Sequence, residues 1–160
     1  MPVKPIPDGF HAVTPYLIVK NAAQALEFYQ KAFGAKERFR MPAPGGKIGH
    51  AEISIGDSVV MLADEFPDMD VKAPQTVGGT PVSLHVYVED VDSQFKKAIA
   101  AGGREKRAVS DQFYGDRLGT LEDPFGHIWH LSTHKEDLSP QELERRAKEF
   151  QQKMQQEKKP

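Results

Sequence analysis

The side chains with most chemical capacity in this 160-residue chain are three imidazoles and a carboxylate: His50, Glu52, His85 and His130. These residue types coordinate divalent metals such as zinc, nickel or iron, and they also act as general bases. His50 and Glu52 stand two apart, a spacing that places both on one face of an extended strand. A Glu52 carboxylate beside His85 or His130 is equipped to take a proton, since partial burial raises its pKa toward the working range. Glu52 and His130 are therefore the candidate catalytic residues.

Several other chemistries are absent. The chain has no cysteine, which removes disulfides, zinc-thiolate centres and cysteine nucleophiles. It contains no Gly-x-Ser-x-Gly elbow and no Gly-x-Gly-x-x-Gly or Walker sequence. Lysines and arginines are scattered and the net charge is -2, so no basic stripe for nucleic acid is expected. No apolar run approaches the ~20 residues that span a bilayer. Met1 to Gly9 is proline-rich without an apolar core, unlike a signal peptide. These features lead to the expectation of a cytoplasmic protein with no membrane partner.

The elements that must position these groups follow from periodicity. A strand is expected over His11 to Val19, irregular at Pro15, and then a helix capped by Asn21 and stopped by Gly34. Its stripe is Ala22, Ala25, Leu26, Tyr29, Ala32 and Phe33. Strands are expected over Lys36 to Met41, Ile48 to Ile55 and Ser58 to Ala63, with turns at Gly45-Gly46 and Gly56-Asp57. Asp64 to Thr80, rich in Asp, Pro and Gly, reads as a linker or mobile loop. The pattern then restarts with a strand over Pro81 to Val88, a helix over Asp90 to Ala101, and strands near Arg104 to Val109, Tyr114 to Leu121 and His127 to Ser132.

The restart is a repeat. Val19 and Val88, Leu26 and Phe95, and Gly34 and Gly103 match at one offset of 69 (88 less 19, 95 less 26, 103 less 34). Each half reads β-α-β-β-β. The fold class is α+β, with module one at about 9–63, a linker at 64–80 and module two at about 81–134, together one domain over 1–134. Residues 135–160 form a charged amphipathic helix, opened by the capping box Ser139-Pro140-Gln141-Glu142 and carrying the apolar seam Leu143, Ala147, Phe150 and Met154. Pairs at i,i+4 are expected for Glu142/Arg146, Glu144/Lys148 and Glu149/Lys153.

Alternation sorts each strand into a helix-facing and an open face. Leu17, Val19, Ala51, Ile53, Ile55, Val60, Leu62, Leu84, Val86, Val88, Trp129 and Leu131 pack inward. The open face keeps Thr14, Tyr16, Ile18, His50, Glu52, Ser54, Val59, Met61, Ser83, His85, Tyr87, Ile128, His130 and Ser132. Histidine, tyrosine and methionine are unusual choices for plain solvent, and the mixture fits a pocket wall.

Four stretches carry a family resemblance: Thr14-Pro15-Tyr16-Leu17, Ala25-Leu26-Glu27-Phe28-Tyr29, His50-Ala51-Glu52-Ile53-Ser54-Ile55-Gly56-Asp57-Ser58, and Gly115-Asp116-Arg117 with Asp123-Pro124-Phe125-Gly126-His127. Over about residues 9 to 134 they resemble the vicinal oxygen chelate superfamily of glyoxalase I, extradiol dioxygenases and fosfomycin- and bleomycin-resistance proteins, and within it the PhnB-like branch. The resemblance implies a half-open mixed-sheet cup for a small molecule, and a homodimer. Metal-dependent members take one ligand from the first and one from the last strand of each half, which here gives Thr14, Met61, Ser83 and His130. Only His130 is a good ligand; a two-residue shift brings in His85.

The reading favoured is therefore a metal-free small-molecule-binding protein of the glyoxalase/bleomycin-resistance type, lined by Tyr16, His50, Glu52, Met61, His85, Tyr87 and His130. The alternative is a metal-dependent lyase, isomerase or dioxygenase using a displaced set, His50, Glu52, His85 and His130, with zinc, nickel or iron. His127 reads as structural, His11 and His134 as near solvent, and Arg117 as a partner of Asp116 or, as the alternative, a contact for an anionic ligand.

Overall fold

A computed structural model describes residues 3–158. Module one runs β1 (Tyr16–Val19), α1 (Ala22–Phe33), β2 (Lys36–Ala43), β3 (Lys47–Ile55) and β4 (Ser58–Asp64). After a short helix, α2 (Pro74–Val77), module two runs β5 (Ser83–Tyr87), α3 (Val91–Ala100), β6 (Arg104–Asp111), β7 (Asp116–Glu122) and β8 (Ile128–His134). The chain ends in α4 (Pro140–Glu157).

Each module forms a four-stranded sheet, ordered β1-β4-β3-β2 and β5-β8-β7-β6. The first and last strands pair in parallel, and the other pairs are antiparallel. β1 and β5 are thus both edge strands, each with one side lacking a strand partner among the described residues.

The helices form for local reasons. Asn21 accepts the Gln24 amide at 3.1 Å, and Gly34 adopts φ 66°, so both ends of α1 are satisfied by side-chain capping and a left-handed stop. Asp90 caps α3 in the same way through Ser93 N. The expected stripe of α1 is buried throughout, joined by Phe28. α1 packs on its own sheet and on α3, and one apolar core runs through both modules, with Trp129, Tyr29, Ile53, Leu62, Leu121 and Leu131 fully enclosed.

A buried carboxylate fastens the modules together. Asp123 accepts from Tyr29 Oη (2.6 Å), Trp129 Nε1 (2.9 Å) and the amides of Phe125 and His127 (both 2.9 Å). His127 also reaches the Ile18 carbonyl through Nε2 at 3.0 Å, so it is structural, as expected.

Three expectations change. The first strand begins at Tyr16, not His11; residues 11–15 bend, and Thr14 Oγ1 donates to the His11 carbonyl. Asp64 to Thr80 is no loose linker. Glu65 accepts from Ala73 N and Thr76 Oγ1, Ala73 is fully buried, and Gln75 donates to the Pro124 carbonyl. The Thr76 hydroxyl, then the Ala73 amide, lower the Glu65 pKa. Arg117 pairs with Asp92 and Asp111 instead of Asp116. His134 lies near solvent, as expected, and there bridges Asp116 (2.7 Å) and Asp137 (2.9 Å).

The C-terminal helix begins at Pro140 rather than at 135, capped by Ser139, whose hydroxyl accepts the Glu142 amide. Glu142/Arg146 and Glu144/Lys148 pair as expected, while Glu149 pairs with Arg145 rather than Lys153. Its seam stays largely open, with Phe150 resting on Phe113 at 5.0 Å between ring centroids. No helix among the described residues is long and apolar enough to cross a membrane.

Candidate functional site

Because the helices cover one face of each sheet, the opposite faces carry whatever chemistry the strands offer. Strand register gives that face a row in each module. In module one the row is Phe39, Glu52, Met61, Tyr16. In module two it is Arg107, Thr120, His130, His85. Tyr16 and Met61 thus occupy the places that His85 and His130 hold in the second half. The residue opposite Met61 is Tyr16 and the one opposite His130 is His85, each two positions beyond Thr14 and Ser83.

In module one, Tyr16 Oη and His50 Nδ1 lie 2.8 Å apart, and His50 Nε2 lies 3.3 Å from Glu52 Oε1. His50 and Glu52 are each about one-fifth exposed (22% and 20%), so the relay is shielded yet reachable. Partial burial raises the Tyr16 pKa, and the phenol stays a neutral donor. The imidazole beside Glu52 is therefore His50, not His85 or His130. Phe39 and Met41, half exposed, flank His50 on the same face. Beside Tyr16 an apolar hollow of about 350 Å³ is lined by Ile18, Gly49, Ala63, Phe66, Met69 and Val71. The segment after β4 thus folds over this part of the sheet, and Lys47 lies over the Phe66 ring at 4.9 Å.

In module two, His130 is held at both ring nitrogens, Nδ1 by Thr120 Oγ1 (2.9 Å) and Nε2 by Ser83 Oγ (3.1 Å). Burial lowers its pKa, and the neighbouring His85 and Arg107 lower it further, so a neutral ring is favoured at pH 7. His85 is exposed and sits between the rings of Tyr87 (4.8 Å) and His130 (5.9 Å). Tyr87 donates to buried Asp116 at 3.1 Å, as does Ser132 at 3.3 Å. Desolvation opposes ionisation of Asp116, but the bonds from His134, Tyr87 and Ser132 prevail and lower its pKa. Ser132 and Val59, expected on the open face, are buried.

A second cleft, of about 870 Å³, separates the Ile55–Ser58 turn from β5 and the start of α3. It follows the free side of β5 rather than the module-one row.

The displaced metal set is not assembled within one chain. Among the described residues no three of His, Asp and Glu gather as a metal group. His50 with Glu52 and His85 with His130 form two pairs on different sheets. At the first- and last-strand positions only His85 and His130 suit a divalent ion, tyrosine and methionine holding the matching places in module one, and Glu52 lies on the other sheet beside His50. These residues do not fit a metal centre within the chain.

Periodicity alone missed Phe39, Arg107 and Thr120. All three lie on strands whose burial does not alternate cleanly, and β2 and β6 carry register shifts that break simple counting.

A family model described as Glyoxalase/Bleomycin resistance protein/Dioxygenase superfamily matches residues 9–131. An uncharacterized protein of Mycobacterium tuberculosis, Rv0887c, is 43% identical over 136 residues, covering 83% of this chain and 80% of the relative. The solved structure of TioX from Micromonospora sp. ML1 superposes with a TM-score of 0.61 at 25% identity, covering 81% of this chain and 100% of the other. The PhnB protein of Bacillus cereus superposes with a TM-score of 0.59 at 20% identity, covering 77% and 99%. With two β-α-β-β-β modules, open sheet faces and a family match across both, this chain belongs to the Glyoxalase/Bleomycin resistance protein/Dioxygenase superfamily.

Proposed function

We propose that this chain is a small-molecule-binding protein whose ligand lies against the two open sheet faces without a metal. The observation that carries the reading is the pair of matched rows: aromatic and thioether groups beside an apolar hollow in module one, imidazoles and hydroxyls in module two. Apolar walls with a few placed polar groups are what a small-molecule site requires. The ligand contacts are Tyr16, His50, Glu52, Met61, His85, Tyr87 and His130. The free sides of β1 and β5 supply surfaces for a second copy, and a cytoplasmic homodimer is the assembly that goes with this reading.

His130 supports the metal-free form. Both its ring nitrogens are already engaged, so coordinating an ion would require Ser83 or Thr120 to let go. One observation favours a metal-dependent enzyme instead, the closeness of the His85 and His130 rings. Elemental analysis of untagged protein, with His50→Ala and His130→Ala alongside, separates the two. Zinc, nickel and iron well below stoichiometry in all three proteins is expected. Near-stoichiometric metal that is lost in His130→Ala would overturn the metal-free reading.

A further inference from the structure

Arg107 differs from the other arginines of the chain. Arg40, Arg104, Arg117, Arg145 and Arg146 are each held by carboxylates, and Arg38 lies over the Phe10 ring at 5.1 Å. Arg107 has no such partner among the described residues, and it is exposed. It stands opposite Thr120 in the strand pair, and Thr120 is hydrogen-bonded to His130, so guanidinium, hydroxyl and imidazole share one row. His85 closes the row on the far side of His130.

We propose that this row, Arg107 with Thr120, His130 and His85, is an oxyanion-recognising half-site, and that the ligand carries an anionic head group such as a carboxylate, sulfonate or phosphonate. The proposal rests on the cup reading above and adds the ligand's charge and its orientation. A guanidinium presents a planar fork of donors that matches two oxygens of such a group. His85, exposed and without a hydrogen-bond partner among the described residues, supplies a further imidazole donor beside the engaged Thr120–His130 pair. No carboxylate occupies this row, since the glutamate of module one, Glu52, has Thr120 as its counterpart. On the cup reading, the apolar remainder of the ligand lies against module one, whose hollow is lined by Ile18, Phe66 and Met69. His130 held neutral by burial and by the surrounding positive charge agrees with a local field that attracts anions.

The test uses two fluorescent probes that differ in one group, 1-anilinonaphthalene-8-sulfonate and N-phenyl-1-naphthylamine, titrated into the full chain at pH 7. Circular dichroism confirms that each variant is folded. The sulfonate is expected to bind at least tenfold more tightly to the native protein, and Arg107→Gln to weaken it about tenfold while leaving the uncharged probe unchanged. Arg107→Lys, which keeps the charge and loses the fork, should fall between. Met61→Ala should weaken both probes. Equal binding of the probes, unaffected by Arg107→Gln but weakened by Met61→Ala, would overturn the oxyanion half-site and leave the cup. Failure of both probes to bind, or binding insensitive to every one of these substitutions, would overturn both.

Discussion

The two modules are built on the same register and finished with different chemistry. Phe39, Glu52, Met61 and Tyr16 span the open face of the first sheet where Arg107, Thr120, His130 and His85 span the second. On the helix-facing side the halves stay alike: Leu17 and Val86, or Leu62 and Leu131, hold matching places. Repetition has preserved the packed face, where volume and hydrophobicity are demanding. The open face, bound by no such demand, has diverged, with phenyl, carboxylate, thioether and phenol groups in one half and guanidinium, hydroxyl and two imidazoles in the other.

The framework is where the comparison breaks most severely. Asp123→Ala leaves the Tyr29 hydroxyl and the Trp129 indole N–H buried without an acceptor, at a cost of about 3–5 kcal/mol. Urea unfolding should show one destabilised transition, because this carboxylate serves both modules. Two separate transitions would mean that the halves do not share a core.

A smaller effect sharpens the comparison at matched positions. Ala51 faces Leu62 in the first sheet, and Gly119 faces Leu131 in the second. A Cβ on Gly119 would come within 2.7 Å of Val109 and 2.8 Å of Phe95, the larger residue that α3 carries where α1 has Leu26. Gly119→Ala should therefore cost about 1–3 kcal/mol through overpacking. The mirror change, Ala51→Gly, should cost about 0.5–1 kcal/mol. Equal costs by thermal unfolding would show that the two helices sit at the same height.

The next difference is electrostatic and belongs to module two alone. Hydrogen bonds to Asp116 and Asp137 raise the His134 pKa, so its contribution is full below about pH 6.5 and fades as pH climbs through the raised value. The lowered pKa of Asp116 means its share is full above about pH 4 and lost on acidification. The stability gap between the native protein and His134→Gln should accordingly be widest near pH 5–6 and narrow toward pH 9. A gap independent of pH would remove the charged bridge from the account.

Least change is expected outside both modules. Phe150→Asp removes the contact with Phe113 from a helix that is otherwise open, and should lower stability by about 0.5–1 kcal/mol. A loss above about 2 kcal/mol, or an altered oligomeric state by light scattering, would show that the seam is covered in solution.

Much of this was legible in the sequence for physical reasons. The stripe of α1, its Asn21 cap and its Gly34 stop follow from helical geometry, and the inward faces of β3 and β4 follow from alternation. The spacing of two put His50 on the strand face of Glu52 but could not exclude His85 or His130 as its partner. The choice depends on how the sheets are apportioned, and the partner proved to be the neighbour on the same strand, His50. Nor could alternation read Arg107 and Phe39, because register shifts in the outer strands move residues between faces. The Asp64–Thr80 segment looked loose by composition, but Glu65 folds it back through two side-chain bonds.

The central claim, that the two open faces serve one ligand, is tested most directly by NMR of protein labelled with nitrogen-15 in its histidine rings. His50→Ala and His130→Ala assign the signals, and 1-anilinonaphthalene-8-sulfonate is titrated in. The account predicts that His50 and His130 shift together along a single saturation curve. Movement of His130 with His50 unmoved at saturation, or two curves with different midpoints, would contradict it.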